Sequence, residues 1–526
     1  MVRKRMGSTT ARQGSGGAFV NIRIDRNSSL PLYVQIKNAI REMIAADLLL
    51  PGQKLPPERK LAETLGVNRT TVLNAYQELK AEGWVRAVRG SGTMVQDHRS
   101  ERGQAEAKFP KYRAVADPHA ANHLNGNVIR ELLALPSGPD HISFAVGKPP
   151  SDCIPLQEIR SAQTELMNYA GESLFQHCPS EGDGSLREAI SRLMQKRGAA
   201  ACSGAEIMVV SGAQQGLDVV ARTFLQRGDV VFVEQPAYFS AVQLFRLYGA
   251  DVVAIPQDPN GGLHFDVLET MIFRHRPKFI YVQPTFQNPT GQVWPLEQRK
   301  QLIKLAERRH TLIIEADPYF ELRYEGEPIP PLKALDRAGL VVYVATFSKL
   351  LYPGMRVGWV CASPEIIAAM VRWKQAMDLH SNHYSQAITD WMIRRGVLDR
   401  HLAFCTERYK AKRDWMVAAI QSYADQELMP CRVPQGGYFL WVQLPKAVSS
   451  TALLVHALEQ NVSFVPGSYF SVDGEEALAS YIRLNFTWPS PQQIERGIRI
   501  LGQTVRRLLD SRPSRGQAFR QSVPLV

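Results

Sequence analysis

The residues best able to do chemistry lie just past apolar segments. Lys349 closes the run Thr346-Phe347-Ser348-Lys349, which follows the apolar stretch Val341–Ala345, and Arg356 comes shortly after it. A primary amine in such a place can add to a carbonyl carbon. The hydroxyls at 346 and 348 and the guanidinium at 356 can hold a phosphate. A second candidate is Ser211-Gly212-Ala213-Gln214-Gln215-Gly216, which follows the apolar stretch Ile207–Val210 and opens a helical pattern. Backbone N–H groups at a helix start make a phosphate cradle. Alone, this Gly-rich turn is a weak signal.

These residues need strands and helices to position them, and the pattern supplies both. From Ile142 to about Leu509, helical periodicity alternates with short apolar runs: Ile207–Val210, Val230–Val233, Asp251–Ile255, Phe279–Val282, Leu312–Glu315, Val341–Ala345 and Gly358–Cys361. Such alternation implies an α/β fold around a mostly parallel sheet.

The N-terminal part reads differently. Leu32–Asp47 has apolar residues at helical spacing and stops at Leu50-Pro51-Gly52. Pro57 opens a second helix to about Leu65. Gly66 then suits a left-handed cap, and Asn68 an N-cap for a third helix. In that third helix Val72, Ala75, Tyr76 and Leu79 form the buried stripe, while Arg69, Thr70, Thr71, Asn74 and Gln77 face away. Two short strands, Trp84–Val88 and Thr93–Val95, flank Arg89-Gly90-Ser91-Gly92, where glycines permit a tight hairpin. Two helices, a short turn and a hairpin make a winged helix-turn-helix pattern.

The bulk numbers fit two modules. A chain of 526 residues exceeds one core, with 45% hydrophobic and 21% charged residues. Residues 1–100 hold 16 Lys+Arg against 8 Asp+Glu, a net +8 of the chain's +12, which suits a polyanion-binding end. The 6 cysteines lie far apart without a CxxC pair, which argues against a zinc site or a disulfide framework and for a reducing cytosol. No apolar run is long enough for a membrane span, and Met1–Gly17 lacks the apolar region of a secretory signal. The expected organisation is a disordered arm at 1–28, the winged helix-turn-helix at 29–96 and a linker at 97–140, with a short helix near Val128–Leu135. The α/β body follows at 141–510, then a loose tail at 511–526.

The segment Leu30–Val95 resembles the GntR-type DNA-binding domain. The runs Leu55-Pro56-Pro57-Glu58-Arg59-Lys60-Leu61-Ala62 and Leu65-Gly66-Val67-Asn68-Arg69-Thr70-Thr71-Val72 carry the match, together with the wing Gly90-Ser91-Gly92-Thr93. The resemblance implies that Arg59, Arg69, Thr70 and Thr71 meet double-stranded DNA and that the wing tip at Gly90 approaches its backbone. The third helix would bring its N-terminus to the major groove.

Residues 141–505 resemble fold-type I pyridoxal-phosphate enzymes of the aspartate aminotransferase group. A pyridoxal-phosphate site needs an amine, phosphate donors, an aromatic against the ring, a hydrogen bond to the ring hydroxyl and an acid at the pyridine nitrogen. By this resemblance Lys349 forms the Schiff base. Ala213, Gln214, Thr346, Ser348 and Arg356 hold the phosphate, and Tyr238 stacks on the ring. Asn288 and its partner Tyr319 meet the ring hydroxyl, and Arg483 clamps a substrate α-carboxylate. The implied architecture is a large domain with a mostly parallel sheet and a smaller C-terminal α/β subdomain. Two positions depart from the pattern. The pyridine acid usually follows a glutamate directly, but here the run is Glu315-Ala316-Asp317-Pro318-Tyr319, which puts Ala316 at that place. Asp317 could serve only if the strand end shifts by one residue, because adjacent residues of a strand point to opposite faces. The tyrosine that commonly reaches the partner subunit's cofactor is replaced by His177.

A GntR-type head joined to an aminotransferase-like body is the arrangement of MocR/GabR-type regulators. The resemblance implies a cytoplasmic homodimer that binds an operator. Its response would be to pyridoxal phosphate or an amino-compound effector held at Lys349 and Arg483. Two alternatives stay open at this point: a working aminotransferase that carries a DNA-binding domain, and a regulator whose body has lost cofactor binding.

Overall fold

The computed structural model describes residues 22, 24–26, 28, 30–45, 49–88, 92–96, 140–199, 202–255, 262–424 and 427–510. The expected arm at 1–28 falls almost wholly outside these residues. So do the helix near Val128–Leu135, most of the linker, the tail and the wing tip at Gly90. Chain contacts divide the protein into two units, residues 1–116 and 117–526.

In the first unit, three helices and a hairpin enclose one small core. Helix α1 spans Leu32–Ala45, α2 Glu58–Leu65 and α3 Arg69–Ala81. Ile36 and Ile40 of α1 pack with Leu61 of α2 and with Val72, Ala75 and Leu79 of α3. Burying a side chain of this size contributes about 1.5–3 kcal/mol. Between α2 and α3, Gly66 adopts φ 63°, and the amides of Gly66 and Val67 return to the last turn of α2. A left-handed glycine cap of this kind ends one helix and turns the chain sharply. Asn68 then caps α3, its side chain accepting from the Thr70 amide at 3.1 Å. Strands β1 (Val85–Val88) and β2 (Gly92–Val95) pair antiparallel, Val85 opposite Val95.

The second unit is built on a seven-stranded sheet. Its strands are β4 (Ile207–Val210), β5 (Val230–Val233), β6 (Asp251–Ala254), β7 (Phe279–Val282), β8 (Leu312–Ala316), β9 (Val341–Thr346) and β10 (Gly358–Cys361), after a two-residue β3 at Ile142–Ser143. Their spatial order is β4-β10-β9-β8-β7-β5-β6, with β10 antiparallel to both neighbours and the other strands parallel. The sheet interior is nearly all apolar, as expected when helices cover both faces. The helices of this unit include α4 (Gly184–Lys196), α5 (Ala213–Phe224), α6 (Phe239–Leu247), α7 (Val397–Ala419) and α8 (Pro491–Asp510). A smaller antiparallel sheet contains β11 (Phe439–Gln443), β13 (Val465–Pro466) and β14 (Tyr481–Asn485), in the order β11-β14-β13, while the short β12 (Val462–Ser463) pairs with β3. The architecture is therefore α/β with a mostly parallel main sheet, and a ligand is expected beyond the carboxyl ends of its strands.

Candidate functional site

Five chain segments leave the carboxyl ends of parallel strands and carry the site. Ser211 and Gly212 follow β4, Glu234 follows β5, Gln283 follows β7, the run to Tyr319 follows β8 and Ser348-Lys349 follow β9.

The turn after β4 is a cradle that only glycine can form. Gly212 has φ +91°, and a Cβ there would lie 2.6 Å from Nη2 of Arg356. Arg356 Nη2 instead donates to the Ser211 carbonyl at 2.7 Å, and its Nη1 to Ser348 Oγ at 3.3 Å. Thr346 Oγ1 donates to Ser348 Oγ at 3.0 Å and accepts from the Ser348 amide at 3.1 Å. Helix α5 begins at Ala213, so the amides of Ala213 and Gln214 sit in its first turn, where no intrahelical acceptor exists. Two hydroxyls, a guanidinium and a helix N-terminus thus converge, a donor set suited to a phosphate.

The Lys349 side chain is held close by. Its ammonium donates to the Gly147 carbonyl, and its own backbone carbonyl accepts from Tyr438 Oη at 2.8 Å. Burial, together with the cations Arg483 and Arg356, lowers the pKa of this amine to about 8. The free amine is the nucleophile, so capture of a carbonyl compound should speed up as pH rises to about 8 and level off above it. Stopped-flow measurement of pyridoxal-phosphate uptake between pH 6 and 10 checks this; a rate still climbing steeply near pH 10 would contradict it.

Arg483, on β14, is buried and donates to Asn288 Oδ1 at 3.0 Å and to the Ala145 carbonyl at 2.9 Å, while its Nε has no partner. Its guanidinium lies 4.0 Å from the Phe439 ring centroid. Burial brings its pKa down to about 10, with Tyr319 and Tyr238 acting the other way. A buried cation with an unused donor is a natural seat for an incoming carboxylate. Tyr238 caps α6 and is half-buried, and Tyr319 is buried against Tyr438 and Phe439.

Asp317 is not brought to this pocket, which corrects the expectation that it could substitute as the pyridine acid. Strand β8 stays in register to its end, with Ala316 beside Val344. Ala316 therefore joins the apolar cluster on the face where Ala213 and Tyr238 pack. Asp317 turns the other way and accepts from Tyr343 Oη at 3.0 Å, and Arg197 donates to the same hydroxyl. Arg197, at the end of α4, also holds Glu321. Burial lifts the Asp317 carboxyl to about 6 despite the nearby Arg197. His177 is exposed and pairs with His380, Nδ1 to Nε2 at 3.1 Å.

Gly147, Gln283 and Glu234 also support the site, and none of them stands out in the sequence. Gln283 Oε1 accepts from the Asn288 amide at 3.0 Å and so supports the Asn288 loop. Glu234 accepts from the Gln283 amide at 3.1 Å, and burial raises its pKa to about 8. A polar residue just past an apolar strand was the only available hint for Gln283 and Glu234. Gly147 contributes only a carbonyl, which leaves no trace in residue type.

In the head, Arg59, Arg69 and Thr70 are exposed and Thr71 is half-buried. Arg69 pairs with Glu58 at 3.3 Å and Arg59 with Glu63 at 3.4 Å, and the Thr70 hydroxyl lies 3.3 Å from Asn68 Oδ1. Pairs made by such exposed arginines contribute little to stability. Gly90 lies outside the described residues.

Comparison with known proteins covers both units. Residues 139–501 match the family model for aminotransferase class I and II, and residues 32–95 match that for bacterial regulatory proteins of the gntR family. The chain is 36% identical over 392 residues to aromatic-amino-acid aminotransferase 1 of Thermococcus litoralis, covering 73% of this chain and 92% of that one. It is 28% identical over 488 residues to the probable rhizopine catabolism regulatory protein MocR of Rhizobium meliloti, covering 91% and 94%. A similar solved structure is an α-aminoadipate aminotransferase from Thermus thermophilus, complexed with N-(5'-phosphopyridoxyl)-L-leucine. It has a TM-score of 0.68 and 33% identity, covering 74% of this chain and 97% of that one.

Proposed function

Because the chain belongs to the aminotransferase class I and II family and carries a gntR-type head, we propose that it is a MocR-type transcriptional regulator whose body binds pyridoxal phosphate. The observation that carries this reading is the pairing of an amine at Lys349 with the Gly212 cradle, in a chain that also has a capped recognition helix. The residues fit the cofactor: the cradle excludes a Cβ at 212, Arg356 and two hydroxyls converge there, and Arg483 keeps an unused donor. The bound cofactor supplies a carbonyl carbon that amines can occupy covalently.

The chain's own residues divide the work. Lys349 offers the amine. Arg356, Thr346, Ser348 and the amides of Ala213 and Gln214 fix the phosphate, Tyr238 covers the ring, and Asn288 with Tyr319 orients the ring hydroxyl. Arg483 selects amino compounds that bear a carboxylate. The absence of an acid at position 316 disfavours turnover and favours retention of the ligand as a signal. In this reading the protein works in the cytoplasm as a homodimer, and effector binding shifts it between two arrangements with different operator affinity. Such a shift requires the effector to bind one arrangement more tightly than the other. Among the described residues no helix is long and apolar enough to cross a membrane.

Arg69 is exposed at the start of α3, and in this reading it reaches base edges or phosphate. Arg69→Ala should weaken operator binding by about 1–3 kcal/mol. A mobility-shift assay on an operator selected from random DNA measures this, and unchanged binding would contradict the assignment of α3.

A further inference from the structure

We infer that Tyr281 meets the cofactor's ring nitrogen in place of the carboxylate absent at Ala316; this rests on the reading that pyridoxal phosphate binds here. Strands β7 and β8 are parallel neighbours, with Tyr281 opposite Ile314 and Val282 opposite Glu315. Side chains alternate along each strand. Tyr281 and Ala316 consequently project from the same face, into one cluster with Val233, Ala237, Phe245 and Val344, against which Tyr238 and Ala213 pack. Asp317 lies on the opposite face and is engaged by Tyr343.

The hydrogen bonds around Tyr281 have a fixed direction. The Asn288 amide can only donate, and it donates to Gln283 Oε1 at 3.0 Å. That identifies the other end of the Gln283 side chain as nitrogen, which donates to Tyr281 Oη at 3.0 Å. The phenol oxygen is therefore an acceptor in this chain. Among the described residues no group accepts its own proton. A phenol of this kind, 1% exposed, retains a donor that needs a partner. Burial keeps it protonated, well above the usual range, and the ionisable groups that push the same way are Tyr238, Glu234 and Tyr319. Two of these, Tyr238 and Tyr319, are side chains assigned to the cofactor.

A phenol is a far weaker acid than a pyridinium, so its proton stays on oxygen when it meets a pyridine nitrogen. Tyr281 thus gives the ring a hydrogen bond without a charge, whereas a carboxylate would stabilise the protonated ring. The consequence is a cofactor that is held and oriented but kept a weak electron acceptor. No proton or electron is transferred in this arrangement.

The test compares affinities of wild type and Tyr281→Phe for pyridoxal phosphate and for its 1-deaza analogue, in which C–H replaces the ring nitrogen. Equilibrium dialysis gives the four values. Wild type should prefer the natural cofactor by about tenfold, the size expected of one buried neutral hydrogen bond. In Tyr281→Phe the two ligands should bind within about twofold of each other. An equal preference in both proteins would overturn the role of Tyr281 while leaving cofactor binding intact. Failure of wild type to bind either compound would overturn the cofactor reading and this inference with it. Should the variant not fold, nitrogen NMR of wild type loaded with ring-labelled cofactor decides. An unprotonated, hydrogen-bonded nitrogen is expected, and a pyridinium signal would overturn the proposal.

Discussion

Lys349→Ala protein, incubated with pyridoxal phosphate and dialysed, is expected to lose the visible absorption band that wild type retains. The reason is that Lys349 is the amine placed beside the Gly212 cradle, and its pKa of about 8 leaves a usable fraction unprotonated at neutral pH. The variant keeps Arg356, Ser348 and the start of α5, so it should still bind the phosphate reversibly. Retention through dialysis should fall by about two orders of magnitude or more, because a covalent bond is replaced by hydrogen bonds that exchange with water. The ammonium's partner, the Gly147 carbonyl, loses its donor, which costs about 1–3 kcal/mol of stability if water does not replace it. A melting curve separates that loss from the spectroscopic one. A band of undiminished strength in the variant would mean that another amine holds the cofactor.

Ala316→Asp is expected to act in the opposite sense, raising the rate of half-transamination with carboxylate-bearing amino compounds by about two orders of magnitude. That is the usual size of one preorganised electrostatic contact at a developing charge. The new carboxylate would project from the face shared with Tyr281 and Tyr238, and a negative charge there favours the protonated ring. Ala316 is 4% exposed, so the apo variant would bury an unpaired carboxyl and should melt at a lower temperature than wild type. Loading with pyridoxal phosphate should restore much of the loss, since the ring then pairs with the acid. Decay of the cofactor band after adding amino acids measures the rate. A variant that binds cofactor but reacts no faster than wild type would show that the alanine is not what restrains the site.

Much of this was legible in the sequence because strand ends and glycine turns leave strong local marks. The apolar runs of β4, β5, β7 and β10 match the strands residue for residue. Gly66 and Asn68 could be placed as caps because a left-handed turn and an N-cap each favour few residue types. Ser211-Gly212 and Ser348-Lys349 stood out because each follows a strand. The orientation of Asp317 required the pairing of β8 with β9, which one residue's slip would have inverted. Arg197, far from Asp317 in sequence, could not be connected to it by spacing, nor could the contact between Arg483 and Asn288. The roles of Tyr281 and Gln283 were hidden for another reason. An apolar strand accepts tyrosine as a core residue, and only the direction of its hydrogen bonds sets it apart.

If a ligand held at Lys349 governs operator binding, the response of the operator complex to pyridoxal phosphate must depend on that lysine. Fluorescence anisotropy on a selected operator would be recorded for wild type and Lys349→Ala, each with increasing pyridoxal phosphate. Wild-type affinity should shift by about 5- to 150-fold, the range of ordinary allosteric coupling, while the variant, which holds the cofactor only weakly and reversibly, should stay where it began at the concentrations that saturate wild type. Identical curves for the two proteins, whether both shift or neither does, would contradict that dependence.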